Sequence, residues 1–266
     1  MKQLWEFLND DEDARVCLDI PDEACDEQPT SFALQLAAKS LSTLADTLSS
    51  SRVVLPWLLG AIAAPSAFIA WLVPLRESLS LLPQLVGAAQ MRKQPMRRGF
   101  YAAGALAQGC CLLAMPLVLL LPSATLSASA LLLLLGLFSL ARGVCSVAAK
   151  DVLGKTISKT RRGRLTGVAG SVAGVFTIGL ALALFLSGGV SGGDTPLALL
   201  VAMLVAAGLC WFIVAALYRR IPEVPGATGG GGNALNVALS SIGLLRSDAP
   251  FRRFVIARAL LVSSAY

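Results

Sequence analysis

Charged residues inside apolar stretches are the first candidates for chemistry in this chain. In its amino-terminal third they are Lys39, Asp46, Arg76 and Glu77. A charge within a membrane span costs roughly 2.5–3.5 kcal/mol on insertion scales, so a chain keeps one there for a reason. Lys39 and Asp46 are seven residues apart, which places them on one face of a helix. An apolar environment favours the protonated carboxyl group, so Asp46 could carry a proton or a cation. The alternatives are a structural ion pair and a helix cap.

Arg76, Glu77 and Arg142 need partners on other helices. Arg76 and Glu77 are adjacent, so their side chains point about 100° apart on a helix and cannot pair simply with each other. Each is expected to make either a substrate or gating contact or a structural clamp near the cytoplasmic mouth. Arg142, beside Gly143, is the best candidate for holding an anion or a carboxylate such as that of Asp46.

Residue patterns that support other kinds of function are missing from the sequence. The chain has no histidine, and its six cysteines include no CxxC pair. These absences argue against a zinc site, a disulfide framework and the usual general base of an enzyme. No Walker motif for ATP is present either. We therefore expect no metal, no cofactor and no enzymatic activity, with a membrane-embedded enzyme as a minor alternative.

The composition places the candidate residues in a membrane protein. Hydrophobic residues make up 56% of the chain and charged residues 14%, whereas a soluble domain has roughly 25% charged residues. Four continuous apolar runs each approach the ~20 residues that cross a bilayer as a helix; they cover 101–121, 124–149, 168–186 and 196–218. Continuous runs argue against an outer-membrane barrel, whose strands alternate. The sequence therefore predicts an all-α membrane protein surrounded by the lipid bilayer.

Changes in composition divide the chain into four segments. Residues 1–30 hold ten of the sixteen acidic residues and are predicted to form an acidic cytoplasmic tail. Residues 31–218 are predicted to form a six-helix transmembrane bundle. Residues 219–250 form a cytoplasmic linker rich in Gly and Pro, and 251–266 begin a seventh transmembrane helix, which is too short to span. The six predicted helices cover 33–56, 61–90, 98–121, 126–149, 165–187 and 195–218.

Two layouts fit residues 32–90. Hydropathy alone selects one span at 53–73, whereas two spans would break near 49–56 and be kinked by Pro65, Pro74 and Pro83. Loops 2–3 and 4–5 and the linker contain fifteen Lys and Arg residues, and the intervening loops contain one. By the positive-inside rule, two spans place the amino terminus of an inner-membrane protein in the cytoplasm. The basic residues then anchor topology, and we expect no nucleic-acid partner.

Small residues recur along the fifth predicted helix. Gly170 and Gly174 follow Gly167 and form a small-xxx-small pattern, which lets a neighbouring helix approach closely. This face could slide during a transport cycle or provide plain tight packing.

The order and spacing of several motifs resemble the major facilitator superfamily. A glycine and a basic loop between helices 2 and 3 resemble its cytoplasmic loop signature; the residues are Gly87, Arg92, Arg97 and Arg98. Arg142–Gly143 resembles the intramembrane arginine motif of helix 4. Arg162–Gly163–Arg164, followed by Gly167, resembles the entry to helix 5. The resemblance covers about residues 31–266.

This resemblance implies half of a twelve-helix secondary transporter that moves an unknown small solute by alternating access. In the family, helices 1, 4, 7 and 10 line the cavity, and charged residues on the first three are Lys39, Asp46, Arg142 and Arg258. Asp46 would bind a coupling proton or cation or the substrate's positive group, and Arg142 a negative group. The implied protein partner is a missing carboxyl-terminal half or a second copy. A membrane scaffold whose acidic tail recruits a cytoplasmic partner is the competing hypothesis.

Overall fold

The computed structural model describes residues 20–91, 93–186, 197–228 and 243–264, and these form helices and connecting segments without a strand. A 3-10 helix, Met115–Leu120, directly follows the α-helix that ends at Ala114. The α-helices in chain order are α1 Asp22–Asp26, α2 Gln28–Leu48, α3 Val54–Ala61, α4 Ser66–Met91, α5 Arg98–Ala114, α6 Ala124–Thr156, α7 Lys159–Leu186, α8 Leu197–Arg219, α9 Leu244–Ser247 and α10 Ala249–Ser264. The prediction of an all-α chain is confirmed within these ranges.

Four helical segments are long and apolar enough to cross a membrane, which makes the chain a membrane-embedded protein. They are Arg98–Leu120, Ala124–Thr156, Lys159–Leu182 and Leu197–Arg219, and they correspond to the last four predicted spans. α6 begins where the Ser123 hydroxyl accepts a hydrogen bond from the Leu126 amide at 3.2 Å, a side-chain N-cap. α6 continues past the predicted end at 149 and α7 begins before the predicted start at 165, and good helix formers such as Lys and Arg occupy part of the added turns.

The first two predicted helices, 33–56 and 61–90, are only partly right, because α2 ends at Leu48, the short helix α3 follows, and α4 begins at Ser66. None of these helices meets the apolar criterion for a membrane span. α2 has 21 residues and α4 has 26, so they are about 31 and 39 Å long. Their internal charges lower their hydropathy. The single-span layout over 53–73 is wrong, because α3 ends at Ala61 and the chain turns through Ala63 at φ 52° before α4 begins. Pro74 and Pro83 lie inside α4, as predicted.

Glycines on α5, α6 and α8 allow the closest helix crossings. A Cβ atom at Gly143 would lie 2.3 Å from the Ser80 carbonyl oxygen of α4, and one at Gly104 would lie 2.7 Å from the Cys145 sulfur. By contrast, nothing lies within 4 Å of a Cβ built at Gly170 or Gly174. The crossing predicted at that pair is therefore not formed in the described part of the chain. Close approach occurs where two helices share a deeply packed face, and that face of α7 has no helix against it.

The same pairs of long helices are in contact when the first three long helices are exchanged with the last three, although α4 and α6 contact each other more extensively than α7 and α2 do. α4 packs on α6 as α7 packs on α2, and α5 packs on α6 as α8 packs on α2. Two pairs remain, α5 with α8 and α2 with α6, and each maps onto itself.

The cysteines fit the sequence prediction except at one position. Cys145 is buried between α5 and α6, and Cys110, Cys111 and Cys210 on the apolar helices are also free thiols. Cys25 is disulfide-bonded, which runs against the argument from the sequence that a disulfide framework is absent. The Cys spacing in the acidic tail carries no signal that distinguishes a bonded pair from two free thiols.

Candidate functional site

Asp46 lies at the centre of an ion-pair cluster formed by three helices. It occupies the last turn of α2, where the Arg76 side chain from α4 donates a hydrogen bond to its Oδ1 atom at 3.1 Å. The Arg142 Nη1 atom from α6 donates to the same oxygen. The predicted contact between Arg142 and Asp46 is thus present. The partner of Arg76, which the sequence left open, is the same carboxylate.

Arg76 is fixed by its surroundings. Its side chain is only 10% exposed. Its Nη1 atom lies 3.4 Å from both the Ser49 carbonyl oxygen and the Ser51 Oγ atom. The guanidinium carbon also lies 5.6 Å from the centre of the Phe138 ring, within cation–π range. Because Ser49 ends α2, Arg76 binds the negative end of that helix as well as Asp46.

Arg142 is held much less tightly than Arg76. Its side chain is 36% exposed, and within the described part of the chain its hydrogen-bond partner is Asp46. It is therefore the member of the cluster that can exchange one carboxylate for another with the least loss of other contacts.

Two cavities meet at the Asp46–Arg142 pair. Cavity A, of about 500 Å³, lies beside the carboxyl-terminal end of α2 and is lined by Thr47, Ser50 and Arg76. Cavity B, of about 360 Å³, lies further toward the amino-terminal end of α2 and is lined by Gln35 and Lys39. Asp46 and Arg142 are the two residues that line both cavities. The ion pair therefore stands between two spaces at different levels of the bundle.

Both cavities carry more positive than negative side chains. Cavity A has three cationic and two acidic residues, which are Arg52, Arg76, Arg142, Asp46 and Glu77. Cavity B has three cationic residues and one acidic residue, which are Lys39, Arg142, Lys150 and Asp46. Lys39 and Glu77 are exposed, each in one of the two cavities. Arg258 is exposed on α10 and lines neither cavity, so the structure does not bring it together with the Asp46 cluster.

A second charged cluster joins the linker to the start of α5 and the end of α6. The Glu223 side chain is 0% exposed and accepts hydrogen bonds from the backbone amides of Arg97, at 2.8 Å, and Arg98, at 2.7 Å. These amides lie at the start of α5. The first amides of a helix have no partner within the helix, and this end attracts negative charge. The Lys155 Nζ atom lies 3.0 Å from Glu223 and 2.8 Å from Asp151, which also pairs with Arg97.

Sequence reasoning identified the basic residues of this second cluster and missed the acidic ones. Arg97 and Arg98 were assigned to a loop motif, whereas Glu223 was treated as part of a flexible linker. The signal was a single carboxylate between two prolines, Pro222 and Pro225, in an otherwise basic region. A lone carboxylate among basic residues is attracted to them, so it marks a place where the linker can dock on the basic helix ends.

The remaining motif residues have structural positions. The Arg162 side chain donates to the carbonyl oxygens of Ile157 and Gly154, at 2.9 and 2.8 Å, which satisfies the end of α6. Gly163 and Gly167 have open space where a Cβ would stand. Gly87 lies on α4, and Arg92 lies outside the described residues.

Neither a metal site nor a known relative assigns a role to these clusters. The described ranges contain no group of three or more histidine, cysteine or acidic residues that could hold a metal ion. No protein-family model, no curated protein and no solved structure matches this chain.

Proposed function

We propose that this chain is one six-helix half of a secondary transporter in which the Asp46–Arg142 pair separates the two access routes to a small solute. The observation that carries the proposal is the position of this pair between cavities A and B. A path through the bundle along α2 must pass the pair. Opening and closing this contact then connects the site to one side or the other, which is the requirement of alternating access.

The chemistry of the pair suits a coupled cycle. Protonation of Asp46 removes its negative charge and releases Arg142, which then accepts an anionic group of the substrate. Return of the carboxylate to Arg142 displaces that group. Arg76 stays bound to the end of α2 throughout, because it has other partners. Asp46 is thus the proton- or cation-binding residue and Arg142 the substrate-binding residue, as the resemblance to the major facilitator superfamily implies.

The packing supports a transporter over a scaffold. If all six long helices cross the membrane, the two three-helix groups run in opposite directions and form an inverted repeat of the kind from which such transporter halves are built. α2 and α4 are long enough to span a ~30 Å hydrocarbon core. Their charges pair with one another and with α6, which reduces the cost of placing them in a membrane. We therefore assign six spans, an inner-membrane location and a cytoplasmic amino terminus.

Cysteine accessibility tests the proposal without knowledge of the substrate. The native cysteines are replaced, and a single cysteine is placed in cavity A as Thr47→Cys or in cavity B as Ser146→Cys. We expect a membrane-impermeant thiol reagent to label Thr47→Cys only from outside and Ser146→Cys only from the cytoplasmic side. Leu133→Cys, an exposed apolar position on α6, is the lipid-facing control and should stay unlabelled.

Adding Asp46→Asn to both cavity variants removes the carboxylate of the pair. We expect each cavity cysteine then to react from both sides, because Arg142 no longer has its partner. Labelling of both positions from one side only, or labelling that Asp46→Asn leaves unchanged, would contradict the proposed function.

A further inference from the structure

We infer that cavity A binds a hydroxylated organic acid, a small solute with one carboxylate and several hydroxyl groups; this rests on the proposed function and names its substrate class. Arg142 already holds one carboxylate, that of Asp46. A guanidinium pairs with carboxylates through a planar pair of donors. The intramolecular contact therefore occupies the position that the carboxylate of a ligand would take.

The two arginines have different roles in this site. Arg76 keeps Asp46 through a 3.1 Å contact and is anchored by the Ser49 carbonyl and the Phe138 ring. The protonated Asp46 carboxyl group can still accept a hydrogen bond from Arg76, so it is held in place when Arg142 turns to a ligand. One exchangeable arginine matches one carboxylate on the solute.

The charge on the cavity walls selects the sign of the ligand. Cavities A and B each have an excess of positive side chains. Walls of one sign in a low-dielectric surrounding concentrate ligands of the opposite sign. A cationic solute would meet repulsion along both routes, whereas an anion is attracted along both.

Hydroxyl groups on the wall of cavity A favour a ligand that carries hydrogen-bond donors. The hydroxyls of Thr43, Thr47, Ser80 and Thr177 donate hydrogen bonds to carbonyl oxygens of their own helices at 2.8–3.0 Å. The Thr47 and Thr177 oxygens also lie 3.4 Å from each other, a contact in which either hydroxyl can donate. With their protons directed to these protein partners, the hydroxyl oxygens offer a ligand mainly lone pairs. A solute with several O–H donors satisfies these acceptors, and a volume of about 500 Å³ falls in the usual range for a small-molecule site.

Binding to the purified chain in detergent tests this inference, and it requires no transport. The probes are D-gluconate, which has one carboxylate and several hydroxyls, sorbitol, which has the hydroxyls alone, and acetate, which has the carboxylate alone. Calorimetric titration should give saturable binding of gluconate, with acetate weaker by roughly tenfold or more and no binding of sorbitol. Choline serves as the cationic probe and should not bind.

Variants locate the binding. Arg142→Gln should weaken gluconate binding by roughly tenfold or more, since a charged hydrogen bond is lost, whereas Arg220→Gln, at an exposed basic residue outside the cavities, should not. Thr47→Val keeps the shape of the side chain and should weaken the binding of gluconate but not that of acetate. This variant still tests the inference if Arg142→Gln fails to fold.

Each of the following results would overturn the inference. They are binding of choline in preference to gluconate, equal binding of gluconate and sorbitol, and an affinity for gluconate that both Arg142→Gln and Thr47→Val leave unchanged. Absence of gluconate binding also overturns it. If gluconate does not bind but Thr47→Cys and Ser146→Cys are still labelled from opposite sides, only the substrate class is refuted. If that labelling pattern is not observed, the proposed transport function is itself refuted.

Discussion

Replacing Asp46 with asparagine should destabilise the fold far more than removing either the charge of Arg142 or that of a surface acid. Asp46→Asn conserves size but leaves two arginines without their shared carboxylate. Most of the lost free energy of unfolding comes from Arg76, because its side chain is only 10% exposed and its charge would lose the carboxylate partner. Removing one partner of a buried ion pair costs about 3–5 kcal/mol. Arg76 keeps its contacts with Ser49 and Ser51, so we expect the lower end of that range, about 3 kcal/mol.

Arg142→Gln should have a smaller effect, because it leaves Asp46 paired with Arg76. The Arg142 side chain is 36% exposed, and exposed ion pairs contribute about 0–1 kcal/mol. We therefore expect a loss of about 1 kcal/mol, and roughly 2 kcal/mol between the two variants. The free energy of unfolding is measured by far-ultraviolet circular dichroism during titration with a denaturing detergent.

Glu23→Gln, an exposed position on α1, is the matched control for loss of one negative charge and should stay within about 0.5 kcal/mol of the parent chain. The reasoning is refuted if Asp46→Asn behaves like this control. It is also refuted if Arg142→Gln destabilises the chain as much as Asp46→Asn does, because Arg142 would then be as firmly held as Arg76.

Other outcomes follow from the second cluster, the helix crossings and the tail. Glu223→Gln should increase hydrogen exchange at the first amides of α5 at least several-fold, and unchanged exchange would mean that the linker is not docked. Gly143→Ala should cost about 2 kcal/mol or more, because its Cβ would meet the Ser80 carbonyl, whereas Gly174→Ala should be neutral in the same unfolding assay. The structure has Cys25 in a disulfide, which the reducing cytoplasm would open if the amino terminus lies there. Thiol trapping in intact cells should therefore recover Cys25 as a free thiol, and recovery as a disulfide would place the tail outside.

Long apolar helices were predictable because lipid imposes a simple rule on them. A span needs about 20 apolar residues with internally paired backbone groups, so α5 to α8 follow directly from hydropathy. α2 was harder to identify because Lys39 and Asp46 interrupt its apolar face, and only the alternation of basic loops favoured a second early helix. The turn at Ala63 settles the break between α3 and α4, and hydropathy could not place it.

Contacts between helices were predictable only where a charged side chain had few possible partners of opposite charge. An intramembrane carboxylate needs a cation, so Arg142 was a natural partner for Asp46. The participation of Arg76 depends on where α4 crosses α6, which rests on close packing at Gly143. Sequence periodicity does not determine crossing points. For the same reason, the small residues at Gly170 and Gly174 suggested a crossing that the described chain does not make.

The membrane crossings of α2 and α4 are the foundation of the whole account, and side-specific labelling measures them directly. Single cysteines at Ala64, in the turn before α4, and at Gln94, in the loop after it, are labelled from each side in turn, together with a tag at residue 1. The account predicts that position 64 is reached from outside and that position 94 and the tag are reached from the cytoplasm. If positions 64 and 94 were reached from the same side, the Asp46 cluster would not lie across the membrane, and its role in transport would be contradicted.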